Sequence, residues 1–137
     1  MNVLLDTHIL LWWLSDSRQL GKRAKALIRA GETMVWVSSV CIWEISIKAA
    51  LGRLDLLEPA AREHDFDEQL HAEMERSGFR ELTVTFAHAL AVRKLPLHHA
   101  DPFDRMLIAQ ARCEDLRLMT VDPAIADYDV RTIDASA

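Results

Sequence analysis

The chain has 137 residues, half of them apolar, with 16 Lys and Arg against 21 Asp and Glu and a formal net charge of −5. Such a chain is most simply one globular domain over residues 1–137, which buries about two thirds of its unfolded surface. The acidic balance excludes a protein held to nucleic acid by a broad basic surface, so any such contact must use local basic patches or a metal ion.

Short apolar strands alternate with helices in the first half of the chain. Strands are indicated by apolar, β-branched and aromatic runs, and helices by apolar residues at helical spacing. Serine before a helix and glycine after it mark the predicted ends. The predicted elements are a strand over residues 3–5, a helix over 7–14, a helix over 22–30, a strand over 33–37, and a helix from Ser38 or Ser39 to Leu51.

The second half continues the alternation after a charged connection over residues 53–65 that contains Pro59 and about one helical turn. The predicted elements are helices over 66–77, 86–94 and 102–113, strands over 81–84, 116–121 and 130–133, and a short helical turn ending at Asp127. Alternating strands and helices imply an α/β fold, with a parallel sheet covered on both faces.

Residues 98–111 read HHADPFDRMLIAQA and carry two acids in different positions. Asp101 precedes Pro102 and is a natural N-cap of the helix that follows. Asp104 shares a helix face with Leu107 and Ile108, which are expected to point into the core. Because a buried carboxylate is costly unless it is paired or binds a metal, Asp104 needs a partner.

Three further acids are expected near Asp104. Ligands of an open parallel sheet bind beyond the carboxyl ends of its strands. Asp6 directly follows the first strand and Asp122 a later one, while Glu44 lies on an apolar stripe of the helix after the second strand. Each has a simpler explanation: Asp6 and Asp122 as N-caps, and Glu44 paired with Lys48 one turn later. These separate explanations account less well for the prediction that all four acids lie at the same edge of one sheet.

Clustered carboxylates predict a metal-dependent hydrolase. Three or four of them packed together have raised pKa values unless a cation offsets their repulsion. Mg²⁺ or Mn²⁺ prefers oxygen ligands and suits a site made of Asp and Glu. Such a site can hold a substrate phosphate and stabilise the leaving oxygen, so the predicted chemistry is phosphodiester hydrolysis. The sequence contains no phosphate-loop, dinucleotide-binding, zinc-protease or serine-hydrolase motif.

Four segments together carry a family resemblance. They are LLDTHILLW at residues 4–12, SSVCIWEISIKAALGRL at 38–54, LPLHHADPFDRMLIAQA at 95–111 and LMTVDPAIADY at 118–128. In this order they resemble the PIN-domain family, and specifically the VapC-type toxins of bacterial toxin–antitoxin pairs. The resemblance implies a PIN-like three-layer α/β/α sandwich with a central parallel sheet, and a metal-dependent endoribonuclease.

The resemblance also implies roles and partners. Asp6, Glu44, Asp104 and Asp122 match the family's catalytic and metal-binding acids, and Asp101 is first a helix cap and second a further ligand. The implied partners are RNA, a second copy of the chain, and a VapB-like antitoxin whose C-terminal segment enters the active-site groove. The alternative function is a non-catalytic PIN-like interaction module whose acids mainly cap helices.

Weaker substrate-binding predictions fall on one threonine and three basic residues: Thr7, Lys48, Arg53 and Arg105. The threonine would hydrogen-bond water at the metal and the basic residues would contact phosphate, with structural and ion-pair roles as the alternatives. His98 and His99 are expected to be surface residues, because no spaced set of metal ligands accompanies them.

Aromatic residues and cysteines give predictions about packing. Trp36 and Trp43 fit core positions, whereas one of the adjacent residues 12 and 13, both tryptophan, must face away from the core and mark a protein interface. Cys41 and Cys113 lie in apolar helical patterns and are predicted to be buried free thiols.

The apolar run at the N-terminus is broken by Asp6 and His8 and follows no basic segment, so we expect neither a signal peptide nor a membrane span. A cytoplasmic protein without a membrane partner is therefore predicted.

Overall fold

The computed structural model describes residues 1–52 and 66–137. The elements within these ranges are β1 (Asn2–Leu5), α1 (Thr7–Leu14), α2 (Lys22–Arg29), β2 (Met34–Ser38), α3 (Ser39–Ala50), α4 (Phe66–Ser77), β3 (Arg80–Leu82), α5 (Phe86–Val92), α6 (Pro102–Cys113), β4 (Arg117–Thr120) and β5 (Thr132–Asp134). A 3-10 turn, Ile125–Asp127, lies between the last two strands. The predicted elements in the described ranges are confirmed, with small differences at their ends. The predicted connection over 53–65 lies outside the described residues.

The five strands of the described residues are parallel and stand in the order β3-β2-β1-β4-β5, so β1 is central among them. Its consecutive residues Val3, Leu4 and Leu5 are all fully buried. A strand whose side chains are buried in succession is covered on both faces, because neighbouring side chains point to opposite sides of the sheet. The architecture is therefore the predicted α/β/α sandwich around a parallel sheet.

The strand ends that matter for function lie at the carboxyl edge of the two central strands. Leu5 of β1 pairs with Met119 of β4, and the Asp6 backbone N–H donates to the Met119 carbonyl at 3.0 Å. The chain then turns at once into α1 with Asp6 as its N-cap. Because the two strands are parallel, the residues that follow both of them arrive at the same edge.

A buried polar network joins β2, α5 and α6. The Gln110 side chain is fully buried in α6, and its Oε1 accepts a 2.6 Å hydrogen bond from Ser38 Oγ. Its amide nitrogen lies 3.5 Å from the Thr83 carbonyl and 3.4 Å from His88 Nδ1. His88 also completes the capping box at the start of α5 by accepting from the Thr85 N–H. Gln110 therefore holds these elements in one arrangement.

The tryptophan predictions are wrong in part. Trp43 is 62% exposed, because its neighbour Glu44 takes the inward position on α3 and successive helical residues point about 100° apart. Trp12 is buried, while Trp13 is half-buried and its Nε1 donates to Glu73 at 2.8 Å. The exposed tryptophan is thus on α3 and not on α1.

The cysteine prediction is half right, since both thiols are free but only Cys41 is buried. Cys113 is exposed because it lies in the last turn of α6, beyond the residues that pack on the sheet.

Among the described residues, the helices are too short or too polar to cross a membrane.

We predict that Gln110→Leu lowers the free energy of unfolding by about 1 to 3 kcal/mol, because it removes the partner of a buried hydroxyl. Chemical denaturation measures this change. The control is Glu75→Leu at an exposed position of α4, where the change is expected within about 0.5 kcal/mol. Equal stability of the two variants would contradict the proposed role of the network.

Candidate metal and catalytic site

Asp6 lies between β1 and α1 and is almost fully buried. Its Oδ1 accepts from the Thr7 N–H at 2.7 Å, and its Oδ2 accepts from Thr120 Oγ1 at 2.7 Å. Burial raises the pKa of Asp6 and the charge of Glu44 adds to the rise, while the hydrogen bonds from Thr120 and Thr7 oppose it. The predicted capping role is confirmed, and it coexists with a place at the carboxyl edge of the sheet.

Glu44 enters the same region from α3 and is also buried. Its Oε1 accepts a 2.7 Å hydrogen bond from Thr7 Oγ1, and its Oε2 is paired with Lys48 one helical turn later. Thr7 and Lys48, two of the predicted substrate contacts, thus both bind Glu44. The ion pair considered from the sequence is present, and it partly neutralises a carboxylate that faces the other acids.

Asp104, Asp122 and His99 form a second group in which one candidate ligand atom from each lies within 4.8 Å of the others. His99 Nε2 is 2.8 Å from Asp104 Oδ2 and 3.5 Å from Asp122 Oδ2. Asp122 is fixed in turn, because its Oδ1 accepts from the Ala124 N–H at 2.9 Å. The hydrogen bond with Asp104 is the main reason that the pKa of His99 is raised.

Asp104 connects the two groups electrostatically. Its pKa is raised to about 7, first by burial and then by the negative charges of Asp6 and Asp101, although His99 opposes the rise. The Cys41 thiol is exposed to the same negative charges. Burial raises the pKa of its thiol, and the charges of Asp6, Glu44 and Asp104 each raise it further. The acids from three separate segments therefore act on one small volume.

Asp101 caps α6 as predicted, since its Oδ1 accepts from the Phe103 N–H at 2.8 Å and the Asp104 N–H at 3.2 Å. Its charge also raises the pKa values of Asp104 and His99. Asp101 is therefore a helix cap that lies close to the acidic site. Its second role as a metal ligand stays a prediction.

Arg105 has a structural position. Its guanidinium donates to the backbone carbonyls of Val92, Leu95 and Pro96 and to the hydroxyl of Tyr128. These bonds connect the segment before α6 to the helix itself, and the phosphate contact of Arg105 stays a prediction. Arg53, the remaining predicted phosphate contact, lies outside the described residues.

His99 is the site residue that the sequence analysis missed. It was expected at the surface, but its side chain is three quarters buried and contacts two of the predicted acids. Its backbone N–H donates to the Tyr128 hydroxyl at 2.9 Å, the group that Arg105 also binds. The available signal was its place five residues before Asp104, in a segment that must fold back over the helix start.

The fold and the converging acids define a class, that of α/β/α domains with an acidic site at the carboxyl edge of a parallel sheet. A sequence profile of the PIN domain matches residues 3–131, and the chain therefore belongs to the PIN-domain family. A comparison with curated protein sequences finds no match.

Solved structures of similar fold include three VapBC assemblies. VapBC2 from Rickettsia felis, bound to a DNA fragment from their promoter, is 10% identical with a TM-score of 0.67, over 97% of this chain and 98% of that one. DNA-bound VapBC from Salmonella typhimurium is 13% identical with a TM-score of 0.65, over 98% of each chain. VapBC-1 from nontypeable Haemophilus influenzae is 17% identical with a TM-score of 0.61, over 100% of each. These similarities show a shared fold.

We predict that Asp104→Asn stabilises the metal-free protein at mildly alkaline pH. The folded-state pKa of about 7 lies above the ordinary value of 3.8, so the folded protein binds more protons between these values and loses stability as the pH rises through them. An uncharged amide removes that loss, with an expected gain of about 1 to 3 kcal/mol. Thermal unfolding in the presence of a chelator, at acidic and alkaline pH, measures it.

The control for this measurement is Asp129→Asn, which changes an exposed acid in the same way. If Asp104→Asn gives no more stability at alkaline pH than this control, Asp104 does not carry the cost of charge crowding.

Proposed function

We propose that the protein is a metal-dependent endoribonuclease that hydrolyses RNA phosphodiester bonds, and that it is a VapC-type toxin. The observation that carries the proposal is the convergence of Asp6, Glu44, Asp104 and Asp122 on the carboxyl edge of β1 and β4. Membership of the PIN-domain family and the fold shared with VapBC proteins support it.

The donor chemistry of the site fits Mg²⁺ or Mn²⁺. Burial is the main reason that the pKa values of Asp6 and Asp104 are raised, and nearby negative charge adds to the rise. A cation would offset both effects by favouring the charged carboxylates. Asp104 and Asp122 are the accessible carboxylates that would hold the ion, with Asp6 and Glu44 behind them and His99 as a nitrogen ligand beside them. When bound there, a divalent ion would stabilise negative charge on the substrate phosphate and would lower the pKa of the attacking water.

The side chains themselves prepare the site in two ways. The Thr7 hydroxyl donates to Glu44 and the Thr120 hydroxyl donates to Asp6. These hydrogen bonds hold both carboxylates toward the site without rearrangement. His99 Nε2 lies 2.8 Å from Asp104 Oδ2 and holds that carboxylate in a fixed orientation at the site.

We predict that Asp6→Asn and Asp104→Asn each reduce metal-dependent RNA cleavage at least about 100-fold, because an amide is a poor substitute for a carboxylate that holds a cation. Cleavage of total RNA, with Mg²⁺, with Mn²⁺ and with a chelator, measures the effect. Titration calorimetry of the metal alone provides a second readout, and weaker metal binding is expected in both variants.

The control is Asp129→Asn, for which cleavage and metal binding are expected to equal those of the parent. Cleavage at the parental rate by either site variant would exclude the corresponding residue. A parent protein that binds neither metal ion and cleaves no RNA would instead favour the non-catalytic interaction module.

We further propose that α5 forms the contact with a second copy of the chain. Phe86 and Leu90 lie one helical turn apart on α5 and are 89% and 60% exposed, and Leu97 in the following loop is 89% exposed. Apolar side chains grouped in this way mark a surface that another protein covers. A symmetric dimer brings the same residues together from both copies.

We predict that Phe86→Glu raises the dimer dissociation constant at least about 100-fold, because it places charge in an apolar contact. Light scattering over a range of protein concentrations measures the change. Leu51→Glu, at another exposed apolar position, is the control and is expected to leave the dimer intact. An unchanged dimer in the Phe86 variant would assign the contact to a different surface.

A VapB-like antitoxin is the proposed regulatory partner, supported by the VapBC assemblies among the similar folds. Co-expression with the product of a short reading frame adjacent to this gene is the test. We expect a complex that co-purifies and suppresses RNA cleavage, whereas full cleavage by the purified complex would contradict this regulation.

A further inference from the structure

Two aromatic residues stand directly before two of the acids. Trp43 precedes Glu44 on α3, and Phe103 precedes Asp104 on α6. Successive helical residues point about 100° apart, so on each helix the acid faces the site while the aromatic side chain lies at its rim. The sequence interpretation assigned Trp43 to the core and gave it no function.

The two rings contact each other across the helices. Their centroids are 5.5 Å apart and their planes form an angle of 75°, an edge-to-face arrangement. Phe103 is half-buried, whereas Trp43 stays 62% exposed. The contact restrains the orientation of the indole, so little conformational entropy is lost when a further ring packs on it. Trp43 is therefore a preorganised apolar surface beside the acidic site.

We propose that Trp43, supported by Phe103, is a stacking platform for one base of a single-stranded RNA whose neighbouring phosphate lies at the acids. The inference rests on the proposed ribonuclease function and names how that site holds its substrate. Single-stranded RNA is recognised largely by stacking of its unpaired bases on aromatic side chains. Stacking accepts every base, so this platform positions the strand and does not read its sequence.

The surroundings of Trp43 favour a base over a protein surface. Among the described residues of α3, the exposed Ser46 and the half-buried Ile47 lie about one turn after Trp43, so this helix does not continue the exposed apolar surface of the ring. The grouped apolar side chains that suit a protein contact lie on α5 instead. A single exposed ring on the residue before Glu44 therefore suits one base of a strand whose phosphate lies at the acids.

The test uses Asp104→Asn protein, in which RNA cleavage is expected to be strongly reduced, and a labelled single-stranded RNA of mixed sequence. Fluorescence anisotropy gives the dissociation constant with Trp43, Trp43→Ala and Trp43→Phe in this background. We expect Trp43→Ala to weaken binding about 5- to 150-fold, the range for loss of one stacked base, and Trp43→Phe to restore part of it. Leu51→Ala, at a similarly exposed apolar position, is the matched control and is expected to bind as the parent does.

A second set of RNAs carries one abasic nucleotide at each position in turn. The Trp43 protein is expected to lose affinity at one position next to the cleavage site, and the Trp43→Ala protein is expected to be insensitive there, because the stacking partner is already missing. In the cleaving protein, Trp43→Ala should raise KM more than it lowers kcat, since Trp43 does not touch the reacting atoms.

The outcomes separate the two proposals. RNA cleavage by the parent with unchanged RNA affinity in Trp43→Ala overturns the platform and leaves the ribonuclease intact. Unchanged RNA affinity with loss of a co-purifying protein partner also overturns it and assigns Trp43 to a protein contact. A parent that neither binds nor cleaves RNA overturns the ribonuclease and the platform together. Thermal unfolding of each variant confirms that the exposed substitution leaves the fold unchanged.

Discussion

The structure depends on how negative charge is accommodated at the carboxyl end of the central strand. Asp6, Glu44 and Asp104 come from three segments and converge there, in surroundings that remove most of their water. Each has donors that lower the cost: Thr7 and Thr120 hydroxyls, the Lys48 ammonium and the His99 imidazole. These donors do not fully offset the cost of burying the charged carboxylates, since the pKa values of Asp6 and Asp104 remain raised. A divalent cation at this edge would reduce the remaining cost of burying these charges.

The start of α6 combines several functions in a few residues. Asp101 satisfies the first N–H groups of the helix, Asp104 faces the site, and Arg105 binds the carbonyls of the preceding segment. That segment carries His99, whose position over Asp104 and Asp122 is fixed through Arg105 and Tyr128. The Arg105 side chain, by binding Tyr128 and the preceding carbonyls, thus helps to position His99 over the acids. Functional side chains are therefore close together in the sequence around Asp104, because one short segment forms the helix start, part of the acidic site and the loop that carries His99.

Much of the candidate site could be anticipated from local rules. Asp6 and Asp122 follow strands, and Asp104 and Glu44 interrupt apolar helical stripes, so sheet topology and helical periodicity were enough to bring them to one edge. Local rules were insufficient for Trp43 and His99. The periodicity of α3 is compatible with either Trp43 or Glu44 pointing inward, and the hydroxyl of Thr7 and the ammonium of Lys48 make the acid the buried one. The orientation of His99 depends on contacts with residues 105 and 128, which no short-range pattern contains.

The sequence by itself determined the order of strands and helices, the parallel α/β class, the N-caps and the acids that meet at the sheet edge. These follow from periodicity, turn chemistry and strand direction, which act over a few residues or follow from the handedness of the connections. Only the tertiary structure decided the partners of each acid, the approach of His99, the engagement of Arg105 and the exposure of Trp43. These depend on distances between segments far apart in the chain, where a rotation of one helix by a single residue changes which side chain is buried.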